Sequence, residues 1–310
     1  MIEKVLIITK KEILENIKSV KYWAIVGLFV LLYLSSTYAI GFALRGLGQQ
    51  GIQRRERVVL TLSSQVANTM SYIAPLIGIA LGFGAVAAER DKGTIRLVLA
   101  RPIYRDALIN GKVIAAFILI VLAVLASTLI AVPLAISVQG VNVTLDDFTR
   151  LVFVTVPASL LALAYYTMAL FVSVNAGRSS QALVVSLSMW IFFSFILPII
   201  SSFIAFQILG PPPAMPFNAT RPFQPGQGSR QFAEYYGKYS QIVNTIQIMS
   251  PNARYTSLIN ALFALRQSGS YETLTSSLGA RWLDVVVLLF YIAAFAIPSY
   301  VLFLRRQETR

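Results

Sequence analysis

The sequence has no cysteine and no histidine among its 310 residues. Without cysteine there are no disulfides, thiolate nucleophiles or cysteine-ligated iron–sulfur clusters. Without histidine the chain lacks the commonest metal ligand and the side chain most often used as a general acid or base. Serine, lysine and carboxylate chemistry stays open, but we expect no catalytic residue and no metal site.

Charged residues are also scarce: they make up 13% of the chain, against 56% hydrophobic residues, and the mean hydropathy is +0.70. An ordinary soluble domain carries about 25% charged residues. This composition indicates an integral membrane protein. The net charge of +13 comes from Lys and Arg in the polar segments between apolar runs. Such positive segments are typical of membrane orientation, so nucleic acid is not an expected partner.

The interiors of the apolar runs contain no Asp, Glu, Lys or Arg. Every Asp and Glu lies in a polar segment or at the end of a run, with Glu89 and Asp284 nearest to the apolar interior. Proton- or sodium-coupled carriers and voltage sensors place such groups in the membrane, and intramembrane proteases need paired aspartates or a serine with a base. These classes are disfavoured. A phosphate-binding G-x-x-x-x-G-K-[ST] loop is missing as well, so any ATP would be hydrolysed by a second polypeptide.

The apolar runs predict an all-α integral membrane fold with six transmembrane helices in a single domain, 1–310. Residues 1–21 form an interfacial amphipathic helix, because apolar residues recur at helical spacing among lysines. A polar segment, 45–69, separates the first two spans. The predicted spans are 22–44, 70–88, 113–138, 151–174, 182–209 and 282–304, so the first five fill 22–209.

A large segment, 210–281, precedes the last span and begins with a proline-rich stretch that excludes a helix interior. Residues 232–265 then predict amphipathic helices on the membrane surface or dipping into it, broken at Ser250 and Pro251. The polar tail 305–310 ends the sequence.

The distribution of positive charge predicts that both termini are cytoplasmic. In that orientation 15 of the 26 Lys and Arg lie in the short inner segments, and the rest are spread over longer outer segments. The Asn-x-Ser/Thr sequons at Asn142 and Asn218 both lie in segments that this orientation places on the outer side of the membrane. They are candidate glycosylation sites. Segment 210–281 is then extracytoplasmic, and we expect a multi-pass protein of the cell membrane.

The polar segment between the second and third spans is the most distinctive part of the sequence. It begins with Glu89, ends with Lys112, and is called the charged segment below. Its order and spacing resemble the loop after the second span of type-2 ABC transporter permeases. The residues that match that pattern are Glu89, Asp91, Gly93, Thr94, Ile95, Leu99, Ala100, Pro102, Ile103, Arg105, Gly111 and Lys112.

The resemblance implies a permease subunit that pairs with a second copy or a paralogue and with two ATPase subunits, which bind ATP and Mg²⁺. This chain itself would need no cofactor. The charged segment would form a cytoplasmic coupling helix that docks on the ATPase. Gly93 allows a sharp turn, Thr94 caps the helix, and Pro102 ends it. The expected docking residues are Glu89, Gly93, Thr94, Arg96, Leu97, Leu99, Arg101, Pro102 and Arg105, whereas Arg90 and Lys92 are interpreted as topology determinants.

The predicted function is the permease subunit of an ATP-driven exporter. Aromatic residues in segment 210–281 suggest an amphipathic substrate (a peptide, a lipid or a hydrophobic drug), and the arginines of the charged segment suggest contact with lipid phosphates. Two alternatives remain: a secondary carrier or channel not powered by ATP, and an ABC permease that serves the assembly of an extracytoplasmic protein.

Overall fold

The computed structural model describes residues 2–45, 53–93, 105–139, 145–213, 227–263, 276 and 279–305. All regular elements in these ranges are helical. The α-helices are α1 (Ile2–Ile17), α2 (Val20–Arg45), α3 (Gln53–Gly82), α4 (Ala87–Asp91), α5 (Arg105–Gln139), α6 (Leu145–Asn175), α7 (Ser179–Ile191), α8 (Leu197–Leu209), α9 (Gln227–Ile246), α10 (Pro251–Leu262) and α11 (Trp282–Arg305). A π-helical turn, Phe192–Ile196, joins α7 to α8, and a 3₁₀ turn, Gln247–Met249, follows α9.

The all-α membrane class is confirmed. Five helical stretches are long and apolar enough to cross a membrane: Ala67–Asp91, Asp106–Ile130, Val152–Asn175, Ser179–Leu209 and Trp282–Arg305. They correspond to the second to sixth predicted spans. The first predicted span is also helical, as α2, but its crossing of the membrane stays a prediction, and so does the count of six.

The polar segment predicted at 45–69 is helical from Gln53 onwards, because helix α3 begins there and continues into the second predicted span. Arg, Glu and Leu are strong helix formers, so polarity here marks a change of surroundings rather than the end of a helix.

Helix α6 is the centre of the bundle, with buried residues along most of its length. Helix α3 packs along it at very short range through Gly78 and Gly82. A Cβ atom on Gly78 would lie 2.0 Å from the carbonyl oxygen of Ala162, and one on Gly82 would lie 2.7 Å from that of Tyr166. The close helix contact therefore depends on these two glycines.

A break at Ser250 and Pro251 joins helices α9 and α10, as predicted. We call the two helices and this break the α9–α10 hairpin, although they pack mainly on other helices rather than on each other. The Ser250 hydroxyl caps α10 by accepting a hydrogen bond from the backbone N–H of Ala253 at 3.3 Å. Helix α10 lies inside the bundle rather than on it: the Tyr255 hydroxyl donates to the carbonyl of Ala67 at 2.7 Å. At the far end of α10, the buried Arg150 guanidinium donates to the carbonyl of Leu262.

The bundle has two distinct ends. We call the end that carries α1, α4 and the α6–α7 turn the α1 end, and the opposite end, which carries Gly210 and the last turn of α10, the α10 end. Helix α8 stops at Leu209, and Gly210 follows with a φ of 73°. Most of the proline-rich stretch and both sequons, Asn142 and Asn218, lie outside the described residues.

Candidate functional site

The two ends of the charged segment meet at a buried ion pair. The Nζ atom of Lys112 lies 2.7 Å from the Oε1 atom of Glu89 and 2.7 Å from the Oε1 atom of Glu12 on α1. The Lys112 side chain is only 6% exposed. Breaking a buried pair of this kind leaves an uncompensated charge, so the three residues hold α1, α4 and α5 in a fixed arrangement.

Helix α1 can reach Lys112 because Gly111 has no side chain. A Cβ atom on Gly111 would lie 2.7 Å from the Cγ2 atom of Ile8. The Thr9 hydroxyl also contacts the Gly111 carbonyl at 3.3 Å. From the other side, the Tyr166 hydroxyl donates to the carbonyl of Lys112 at 3.3 Å. The Gly–Lys pair is thus enclosed by α1 and α6.

The short helix α4 is fastened to the last turn of α6. The Ser173 hydroxyl oxygen accepts hydrogen bonds from the backbone N–H groups of Val86 and Ala87, at 3.1 and 3.0 Å. These are orphan donors at the start of α4, which the helix itself cannot satisfy. The Arg90 guanidinium donates to the carbonyls of Ala176 and Val174 at the end of α6. The interpretation of Arg90 as only a topology determinant therefore missed an intramolecular contact.

The last residue of α4 continues this connection to the next span. One carboxylate oxygen of Asp91 accepts hydrogen bonds from the backbone N–H of Ser179, at 2.8 Å, and from the Ser179 hydroxyl. Because Ser179 is the first residue of α7, Asp91 supplies the N-terminal cap that α7 lacks in its own sequence. A carboxylate at this position also interacts favourably with the helix dipole.

The structure describes some of the predicted docking residues but not others. Glu89 lies in the ion pair, and Gly93 has a φ of 66°, the left-handed conformation of the sharp turn expected there. Arg105 begins α5, but its side chain is outside the described residues. So are Thr94, Arg96, Leu97, Leu99, Arg101 and Pro102. Their docking on an ATPase stays a prediction.

Sequence reasoning missed the partners that hold the segment in place: Glu12, Lys112 as an ion-pair partner, Arg90, Asp91 as a cap, and Ser173. A signal for Lys112 did exist. The lysine stands at the start of an apolar helix, where burial without a carboxylate partner costs several kcal/mol. Neither Glu12 nor Glu89 could be chosen as that partner without knowing that α1 folds back onto α5.

A second polar cluster surrounds Asn252, in the first turn of α10 near the middle of the bundle. The Tyr165 hydroxyl donates to the Oδ1 atom of Asn252 at 2.5 Å, and the Nδ2 atom of Asn252 donates to the carbonyl of Ser71 at 2.8 Å. Nearby, Asp284 forms an ion pair of 2.8 Å with the Nη1 atom of Arg254. Glu89 and Asp284, the two carboxylates nearest to the apolar interior, are thus both paired with a cation.

Comparison with known proteins gives a family match over nearly the whole chain. The model of the ABC-2 family transporter protein family matches residues 6–307. The chain belongs to the ABC-2 family of transporter proteins. This assignment confirms the prediction of an ABC permease made from the charged segment.

Two relatives resemble this ABC-2 permease at low identity. The "Probable ABC transporter permease protein NosY" of Stutzerimonas stutzeri is 26% identical over 187 residues, which are 60% of this chain and 65% of the relative. The protein of the same name in Pseudomonas aeruginosa is 26% identical over 189 residues, again 60% and 65%. The matched region thus spans somewhat less than two thirds of either relative.

Proposed function

We propose that this ABC-2 permease is the transmembrane subunit of an exporter of the cell membrane, with the α1 end cytoplasmic. Two ATPase subunits would hydrolyse ATP and hold its Mg²⁺, and a second copy of the chain or a paralogue would complete the complex. The observation that carries the proposal is the anchoring of the charged segment. Its two ends are joined to each other by the Glu89–Lys112 pair and are connected to α1, α6 and α7.

The anchoring suits a segment that receives force from a partner. A displacement of residues 94–104 would pull on α4 through Gly93 and on α5 through Arg105. Because Asp91 caps α7, movement of α4 would be passed to the start of α7 and hence to the fifth predicted span. The docking residues would be the apolar Leu97 and Leu99 and the arginines Arg96, Arg101 and Arg105, with Thr94 and Pro102 limiting the helix.

The surface of α1 supports the orientation and a contact with lipid. Leu6 and Ile7 are 60% and 63% exposed, and Leu14 is 45% exposed. Lys10, Lys11 and Lys18 lie beside them around one shallow hollow. An exposed apolar strip bordered by lysines fits the boundary of a membrane with anionic lipids, which face the cytoplasm in excess.

The proposed substrate class remains amphipathic. On α9 the rings of Phe232 and Tyr236 lie 4.5 Å apart, and Tyr235 and Tyr239 continue the aromatic cluster. Part of this cluster is structural, since the Tyr235 hydroxyl donates to the Gly210 carbonyl at 2.6 Å. Tyr236 is 45% exposed and leaves an aromatic face for a substrate.

The experiment is copurification of the tagged chain in mild detergent, followed by measurement of ATP hydrolysis and of ATP-dependent transport in proteoliposomes. We expect an ABC ATPase to accompany the chain, and the double charge reversal Arg101→Glu/Arg105→Glu to lower ATP hydrolysis without loss of membrane insertion. Lys92→Glu is the matched control. Unchanged hydrolysis in the double variant would refute the docking assignment, and transport without ATP would refute the exporter.

A further inference from the structure

The α9–α10 hairpin encloses a groove that the transport mechanism above does not use. It lies between α3, the π-helical turn, α8, α9 and α10, with Arg281 at its edge just before α11, and its volume is about 680 Å³. The floor of the groove is level with Tyr165, which stands near the middle of the span Val152–Asn175. The groove therefore reaches from the α10 end to about half the depth of the membrane.

The floor is polar but carries no charge. The Asn252 side chain forms it, together with Ser71 and Ser194. Besides its bonds to Tyr165 and Ser71, Asn252 donates through Nδ2 to the Ser194 hydroxyl oxygen at 3.0 Å. A network with this many internal hydrogen bonds is rigid, so the floor has a fixed shape before any ligand arrives.

The charges in the wall are of one sign. Arg254 and Arg281 line the groove, and among the described lining residues there is no Asp or Glu. The charge of Arg254 is compensated from behind by Asp284, whose Oδ2 atom also accepts a hydrogen bond from the Ser257 hydroxyl at 2.7 Å. Among the described residues no carboxylate lies within ion-pair distance of Arg281. The part of the groove wall that the structure describes thus has one positive charge in excess.

The remaining wall combines hydrogen-bonding side chains with an apolar edge. Asn244, Thr245 and Asn260 present amide and hydroxyl groups to the groove. Beside them, the apolar side chain of Ile248 is 53% exposed and that of Tyr72 is 45% exposed. A molecule with a polar, negatively charged head and an apolar tail would match both regions at once.

We infer that this groove binds a phosphate-bearing head group. The Arg281 guanidinium can pair with the phosphate oxygens, and the amides of Asn244 and Asn260 can donate to the same group. The apolar edge at Ile248 and Tyr72 favours an anionic phospholipid as the carrier of that phosphate. The phosphate can also be supplied by a soluble ester, and the experiment separates the two sources. The inference concerns binding alone and does not depend on the ATPase or on the direction of transport.

The test is a lipid titration of the delipidated full chain, followed by native mass spectrometry, with phosphatidylglycerol and phosphatidylcholine as probes. Glycerol 3-phosphate is titrated separately by thermal melting. We expect one phosphatidylglycerol per chain, bound about tenfold more tightly than phosphatidylcholine. Arg281→Gln removes the excess charge and Asn260→Asp adds an isosteric negative charge, so each lowers the affinity about tenfold. Lys238→Gln, on the exposed side of α9, is the matched control.

The outcomes are distinct. Selective binding of phosphatidylglycerol that both variants weaken supports a lipid site. Binding of glycerol 3-phosphate with the same sensitivity to the variants supports the phosphate site and assigns a soluble ligand. If neither probe binds selectively, or if Asn260→Asp binds like the parent chain, the groove holds only solvent and the inference is overturned.

Discussion

Asp91 at the end of α4 caps the first residue of α7, Ser179, although the two residues are far apart in sequence. The bond joins the start of the charged segment to the start of the fifth predicted span. We therefore expect Asp91→Ala to reduce the stimulation of ATP hydrolysis by substrate in the complex, because α7 loses its attachment to α4. The loss of the cap should also lower the melting temperature of the protein.

The measurement is ATP hydrolysis in proteoliposomes with and without substrate, alongside thermal melting. Lys92→Ala, at the exposed neighbouring position, controls for a change of charge near the segment. Wild-type stimulation in a folded Asp91→Ala protein would show that α4 and α7 are not coupled through this bond.

Removal of the buried cation should be strongly destabilising. Lys112→Met leaves Glu12 and Glu89 close together without their shared partner, and breaking a buried pair costs about 3–5 kcal/mol. Thermal unfolding in detergent measures the effect. Lys11→Met is the control, since Lys11 is 55% exposed and its pair with Glu15 spans 3.5 Å. Adding Glu12→Gln to Lys112→Met should restore part of the loss, and a strictly additive double variant would contradict the triad.

Gly78 should not tolerate a methyl group. A Cβ atom there would lie 2.0 Å from the backbone carbonyl oxygen of Ala162, so α3 and α6 must separate. We expect Gly78→Ala to destabilise the protein by about 1–3 kcal/mol, as overpacking does. Gly27→Ala is matched in chemistry but has nothing within 4 Å of the new atom, and it should be neutral or slightly stabilising. Equal melting temperatures for the two variants would contradict the close packing of α3 on α6.

Tyr165→Phe tests the attachment of α10. The variant removes the donor to Asn252 and leaves a buried amide oxygen without its partner, at a cost of about 1–3 kcal/mol. Limited proteolysis of the α9–α10 hairpin should accelerate accordingly. Tyr300→Phe is a suitable control, because among the described residues the Tyr300 hydroxyl has no hydrogen-bond partner. Identical proteolysis of both variants would mean that Asn252 does not hold the hairpin.

Much of the fold could be predicted because hydrophobicity along the chain directly reports the length of each span. The second to sixth predicted spans correspond to helices, and Ser250 and Pro251 break the hairpin as their residue types require. Helix α3 extends beyond its apolar part to Gln53, since hydropathy detects where a helix meets lipid and not where the helix begins.

The pairings within the site could not be predicted in the same way. The charged segment was found from its residues, and the permease family that it indicated was confirmed for the chain. Which carboxylate neutralises Lys112, and which helix Asp91 caps, depend on how α1, α4 and α7 are placed in space. Arg150 shows the same limit: its guanidinium donates to the carbonyl of Leu262 in the last turn of α10, which no local pattern reveals.

The π-helical turn at Phe192–Ile196 has a consequence for the geometry of the fifth span. Ala182 and Ser201 are both buried and stand 19 positions apart, as do Ser186 and Ala205. Five turns of an α-helix hold about 18 residues, so the wide turn absorbs one extra residue and keeps both pairs on one face. Were this single turn to tighten to α geometry, the half of the span beyond it would rotate by about 100° about its axis and carry Ser201 and Ala205 away from the bundle.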